Sequence, residues 1–264
     1  MRFLSLIVGK KRKVKNVKKL SEANSGDFEM LLSSVKIIKG LGTAQEQAQK
    51  FVDTIYEYFQ ESLVLLRLFS SVPYSALPIL DMQLFDKKVK DSGHARRCND
   101  RTPVLTLLAT RGQKPDWNER VRSHGFRCIP LVSGEYVSSL SMLSMQFRKM
   151  NLAPGLFDTW ETAVVARGRA DEFSGMLYVN NAGTDKDELG RMIVPRQEFV
   201  AENNVRTVLG FGNGYSNHPA IVTLFAFTNQ ILSESMMKPF ESLIEAYMSI
   251  SSEHVINGRV FSLS

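Results

Sequence analysis

A disulfide or metal framework has almost nothing to be built from in this chain. Cysteine occurs twice in 264 residues, at Cys98 and Cys128, and the two form no metal-type pair. That argues against a secreted disulfide scaffold, and a reducing cytoplasm is the simpler setting. His94 and Cys98 lie four apart and share a face if helical. Two ligands do not hold a metal, however, and Arg96 and Arg97 beside them repel a cation. No apolar run reaches the 18 residues of a membrane span. H-E-x-x-H, a nucleophile elbow and a P-loop are absent, so no catalytic residue and no metal is assigned.

Acid is missing from the first 20 residues, which hold eight Lys and Arg. The whole chain carries +6, so the other 244 residues sum to −2. The basic character is a tail, whereas nucleic-acid binders spread cations over a folded face. The apolar stretch Met1 to Val8 is short and precedes the charge, the wrong order for a secretory signal. Residues 1–26 read as a basic flexible tail, either solvated or in weak contact with an anionic membrane or nucleic acid.

What the chain does have is a strong hairpin. Arg206 to Phe211 and Ala220 to Phe227 are apolar runs of strand length, separated by G-N-G-Y-S-N-H-P. Turn geometry accounts for the glycines of G-F-G-N-G, because a strand follows them where a phosphate loop needs a helix. Ser233 to Ser252 then carries helical spacing.

Ahead of the hairpin, Phe28, Leu31, Leu32, Val35 and Ile38 predict a helix over 27–39, stopped by Gly40 and Gly42. Thr43 and Glu46 open a second as a capping box, with Ala48, Phe51, Val52, Ile55, Tyr56 and Phe59 inward. S-L-V-L-L-R-L-F over 62–69 and P-V-L-T-L-L-A-T over 103–110 read as strands. Between them come a loop with a short helix over 72–85 and an exposed polar loop over 87–101. Residues 134–152 read as one Met-rich helix, whose methionines are either core or the wall of an adaptable pocket. Residues 156–166 lead to a strand over 173–179. Asn257-Gly258 is a hairpin signal for the last ten residues.

T-P-V-L-T-L-L-A-T-R-G-Q-K-P-D-W-N-E-R-V-R-S-H-G-F-R-C-I-P-L and I-V-P-R-Q-E-F-V-A-E-N-N-V-R-T-V-L-G-F-G-N-G resemble a GAF-like sensory domain, in the large bacterial variant of signal-transduction proteins. The resemblance covers roughly residues 43–251. It implies an α+β, GAF/PAS-like fold: a central antiparallel sheet flanked by helices, N-terminal helices, a closing C-terminal helix and a cavity on one side. It implies a domain over 27–252, with a C-terminal extension over 253–264. Phe126 stands where a polar residue is expected.

Three functions follow as expectations. The first is a non-catalytic, cytoplasmic sensor that binds a small ligand and signals through its terminal helices to a partner protein or within a homodimer. No kinase, cyclase or helix-turn-helix output is recognised after residue 252. Trp117, Asn118 and Arg127 are the candidate ligand contacts, since an aromatic, an amide and a guanidinium cradle planar or anionic molecules. Sheet packing of Trp117 and turn capping by Asn118 are the competing roles. The second is a thiol-dependent redox enzyme of the methionine sulfoxide reductase kind using Cys98 and Cys128, with the arginines near Cys98 lowering its pKa. The third is a ligand-free interaction scaffold. No cofactor is identified.

Overall fold

The computed structural model describes residues 17–123, 126–158, 173–216 and 218–262. Helices α1 (Ser25–Ile37) and α2 (Ala44–Tyr58) come first. Then follow β1 (Leu63–Pro73), α3 (Ile79–Asp91), β2 (Pro103–Gly112) and β3 (Cys128–Pro130). The middle of the chain gives α4 (Gly134–Ser139), α5 (Ser141–Lys149), β4 (Ser174–Val179) and α6 (Gln197–Glu202). The hairpin β5 (Thr207–Gly214) and β6 (Ile221–Thr228) and the long α7 (Met237–Ile256) complete it. The six strands form one antiparallel sheet in the order β3-β2-β1-β6-β5-β4. The fold is therefore α+β with an antiparallel sheet between helices, as the sequence predicts.

Both faces of this sheet are covered. Leu66 and Leu68 of β1, Phe211 of β5 and Leu224 of β6 belong to a core shared with α1, α2 and α7. Leu65 and Phe69 of β1, and Phe225 and Phe227 of β6, belong to a second core shared with α4 and α5. Double coverage explains why the central strands are apolar at nearly every position and do not alternate. The first core is joined by a run of rings. Phe240 of α7 stacks on Phe211 of β5 at 5.4 Å and meets Phe28 of α1 edge-on at 5.5 Å.

The glycines of G-F-G-N-G lie in β5, not in the turn. Gly210 and Gly212 face α5, and Gly212 is paired with Gly175 of β4. A Cβ on Gly210 or Gly212 would run into Gln146 or Met150, and one on Gly175 into the Lys149 backbone carbonyl. Glycine is needed because the end of α5 rests its backbone on β4 and its Gln146 and Met150 side chains on β5.

Four other expectations are corrected. Residues 87–91 continue α3, whose buried stripe Asp81, Phe85 and Val89 includes an acid that conceals the pattern. Residues 134–152 are two helices, because Leu140 leaves helical geometry at φ −95°, ψ 87°. The last residues do not form a hairpin. α7 ends in a Schellman arrangement, with Gly258 at φ +70° and Arg259 N–H on the His254 carbonyl at 2.8 Å. Residues 17–26 are not tail: Leu20 is fully buried, its N–H bonds Ser62 Oγ at 2.8 Å, and Lys18 pairs with Asp27 at 2.6 Å. Residues 1–16, which hold most of the basic charge, and residues 159–166 lie outside the described residues.

Gly175→Ala is expected to cost about 1–3 kcal/mol by overpacking, because a backbone carbonyl cannot move aside as a side chain can. Gly155→Ala, where a new Cβ meets nothing within 4 Å, is the control and should stay within about 0.5 kcal/mol. Urea unfolding of both variants measures the difference, and equal midpoints would show that α5 does not sit on the glycines.

Candidate functional site

The second face of the sheet does not pack solid. Between the strands and the segments that cross them lies a cavity of about 970 Å³. Its floor is Leu65, Arg67 and Phe69 of β1 with Phe225 and Phe227 of β6. Residues 139–143, residues 194–203 and the loop holding Lys114, Trp117 and Phe126 form its walls. The volume suits a drug-sized ligand.

Arg67 is the charged residue of the floor. It stands opposite Thr110 of β2 and Phe225 of β6, in the middle of the sheet. One terminal nitrogen donates to Ser123 Oγ at 2.6 Å. Burial, and then the positive charge of Arg196 across the cavity, push its pKa down to about 10. Arg67 is not among the contacts that the sequence suggests. The available signal was a single arginine inside L-V-L-L-R-L-F, a strand that is otherwise apolar.

The three predicted contacts do not come together. Trp117 does line the cavity: its ring meets Phe199 edge-on at 5.6 Å, and Lys114 Nζ lies 5.0 Å from its centroid. Asn118 is occupied as a turn cap, its Oδ1 accepting the Gly112 N–H at 2.9 Å. Arg127 belongs to a separate buried cluster. Its Nε lies 2.9 Å from Oδ1 of the fully buried Asp81, and its Nη1 donates to the Val121 carbonyl at 2.7 Å. Arg120 closes the cluster by pairing with Asp81 and donating to the Leu107 carbonyl at 2.6 Å. Burial, reinforced by Arg127, takes the Arg120 pKa down to about 10. One carboxylate thus ties the loop 113–127 to α3. Of S-H-G-F-R, His124 and Gly125 lie outside the described residues, while Phe126 lines the cavity and makes it more apolar. Of the methionines, Met142 lines the cavity and Met150 is core under Gly212.

The thiols do not have the polarisation expected of them. Cys128 is fully buried, and burial pushes its thiol up to about 12 despite nearby Lys88, Arg120 and Arg127. Burial also raises Cys98, with Asp86 adding to it, so the arginines beside Cys98 do not lower its pKa. Its Sγ donates to the His94 carbonyl. Both cysteines are free, and among the described residues no group of three potential ligands can hold a metal. No helix among those residues is long and apolar enough to cross a membrane.

No protein-family model and no curated protein matches the chain. Among solved structures, it is similar to a free methionine-R-sulfoxide reductase from Neisseria meningitidis in complex with its substrate (8% identity, TM-score 0.47, 91% of this chain and 98% of that one). It is also similar to the GAF domain of an Acinetobacter phosphoenolpyruvate-protein phosphotransferase (12%, 0.45, 92% and 100%). A third is the phycocyanobilin-bound GAF domain of a cyanobacterial phytochrome (8%, 0.44, 87% and 96%). The architecture among the described residues is six antiparallel strands in one sheet, with helices on both faces and a cavity on one. At such identities, what those proteins bind or reduce remains theirs.

Asp81→Asn is expected to cost about 3–5 kcal/mol, because it leaves two buried guanidiniums facing each other. Chemical denaturation checks this, and a near-neutral result would show the cluster to be solvated. Iodoacetamide labelling tests the thiols. With both pKa values raised, the reactive thiolate is scarce at neutral pH and grows only as pH rises. Cys98 should label slowly at about pH 7.5 and Cys128 not until the chain unfolds. Rapid labelling of either at that pH would restore the redox reading.

Proposed function

We propose that the chain is a non-catalytic sensory or regulatory domain that binds a small molecule in the sheet-side cavity. The observation that carries this is the cavity itself, about 970 Å³ in a face whose opposite face is filled. An interaction scaffold would fill both faces with its own side chains. The thiol enzyme lacks support because both thiols are shifted away from the reactive form. Trp117 contacts the ligand, whereas Asn118 and Arg127 shape the loop that carries Trp117.

Signalling through the terminal helices has a physical route. Loop 113–127 closes the cavity and also reaches the end of the chain, where the Arg120 guanidinium lies 5.0 Å from the Phe261 ring centroid. The segment after α7 is laced to the start of α2 by Ala44 N–H on the Arg259 carbonyl and Gln45 N–H on the Val260 carbonyl. His254 Nε2 lies 2.8 Å from the Leu41 carbonyl, which joins the ends of α1 and α7. Exposed Ile37 and Ile256 crown that junction and suit a signalling partner or a second copy. Ligand binding shifts the population between two arrangements of these helices. A cytoplasmic location fits the two free thiols.

Native mass spectrometry of the full chain, as purified, is expected to show a small molecule bound above the chain mass. Leu143→Trp, which fills the cavity from α5, should remove it while leaving the circular dichroism spectrum unchanged. If the variant retains the molecule, the cavity is not its site. A bare chain mass in both proteins argues for the scaffold.

A further inference from the structure

The lining of the cavity changes character with depth. Its buried part is mainly apolar: Leu65, Phe69, Ile129, Leu143, Phe225 and Phe227 are each no more than 6% exposed. The exposed charged residues of the lining come two of each sign, Lys114 and Arg196 with Glu198 and Glu202. Lys114 and Glu202 lie 3.9 Å apart. The exposed part therefore carries no net charge and selects neither an anion nor a cation.

The other polar groups of the lining have donors committed to the protein. Ser141 Oγ donates to the Met192 and Ile193 carbonyls at 2.9 and 3.1 Å. Gln197 Nε2 donates to the Val194 and Ala182 carbonyls at 2.7 and 3.0 Å, and Asn203 Nδ2 to the Phe199 carbonyl at 2.8 Å. Arg67 is likewise engaged by the protein, one terminal nitrogen donating to Ser123 Oγ at 2.6 Å. An ion entering the buried part loses its water and finds these donors taken.

What the cavity does offer is rings on two sides. Phe69, Phe225 and Phe227 lie in the floor, and Trp117, Phe126 and Phe199 in the walls. Trp117 and Phe199 come from different walls and meet near edge-on at 5.6 Å, and Phe199 meets Phe227 at 5.4 Å and 90°. Rings crossed in this way present both faces and edges to a further ring. Trp117 is held from behind. Its ring lies so close to Gly112 that a Cβ there would come within 2.7 Å of it, and its carbonyl accepts Thr110 Oγ1 at 2.9 Å. The Met142 thioether adds a polarisable group that suits an aromatic neighbour.

Resting on the reading of this cavity as a ligand site, we propose that its ligand is an uncharged aromatic molecule, held by ring contacts with Trp117 and Phe199 in the walls and Phe225 and Phe227 in the floor. The apolar depth of the cavity rejects charge, and Trp117 and Phe199 select an aromatic body over a saturated one. A polar group on the ligand lies toward the exposed part of the lining, where water reaches it.

The test is isothermal titration of the full chain with four probes: neutral 2-naphthylmethanol, anionic 2-naphthoate, cationic 2-naphthylmethylammonium and the saturated alcohol decahydro-2-naphthylmethanol. The aromatic alcohol is expected to bind about tenfold more tightly than either ion, since burying a charge here is not compensated. It should bind about threefold more tightly than the saturated alcohol, which fills similar space without a π face. Trp117→Leu and Phe199→Leu should each remove the preference for the aromatic alcohol over the saturated one and keep the preference for neutral over charged. Equal binding of the two alcohols, or an aromatic preference that survives both leucine variants, overturns the aromatic assignment. An ion that binds as tightly as the aromatic alcohol overturns the uncharged one. In either case, binding that Leu143→Trp removes leaves the cavity standing as a ligand site. If none of the probes binds, the ligand class is overturned. The ligand-site reading is then decided by whether the protein as purified carries a molecule that Leu143→Trp removes.

Discussion

A sheet covered on both faces is the constraint from which the rest of this structure follows. β1 and β6 are central, so each of their residues faces helices or crossing segments on one side or the other. A charge in such a strand is largely withdrawn from water and must find its partners inside the protein. Arg67 occupies that position. On the opposite face the side chains of α1, α2 and α7 fill the space, and the aromatic run from Phe28 through Phe240 to Phe211 leaves no room. The two faces thus divide the labour, one packed for stability and the other partly open.

The open face stays open because of how α5 is held. Gly175 lets the end of the α5 backbone settle on β4, and Gly210 and Gly212 make room on β5 for Gln146 and Met150, at one end of the sheet. Toward β1 and β6 the cavity is walled instead by residues 139–143, loop 113–127 and residues 194–203. Asp81 performs the matching task on the other side. By binding Arg120 and Arg127 it fixes both the middle and the end of loop 113–127 to α3. Trp117 and Phe126 are presented to the cavity from that fixed frame.

What is legible in the sequence follows the same physics. The hairpin, α1 and α2 can be read because their patterns are uninterrupted: continuous apolar runs for doubly covered strands, and helical spacing for helices with one buried side. The pattern cuts α3 short because Asp81 interrupts its apolar stripe. No local rule says that an acid is buried when its partners lie 39 and 46 residues on, at Arg120 and Arg127. The break at Leu140 is invisible for a related reason, since apolar residues continue through it. The glycines of β5 look like turn formers because the helix requiring them comes from another part of the chain. Among the site residues, Trp117 is legible as a large aromatic in a polar loop. Asn118 and Arg127 have the right chemistry for a ligand, but the fold uses it on Gly112 and Asp81.

Arg127 and Arg67 sit at different points of the frame around the cavity. Arg127 is surrounded by fixed acceptors: a carboxylate on one side and the Val121 and Leu80 carbonyls on the other. Its position is determined with no ligand present, and removing its carboxylate damages the fold. Arg67 is held in part through Ser123, on the floor of the cavity. The loop that supplies Ser123 also touches Phe261 through Arg120, so one segment runs from the cavity floor to the residues after α7.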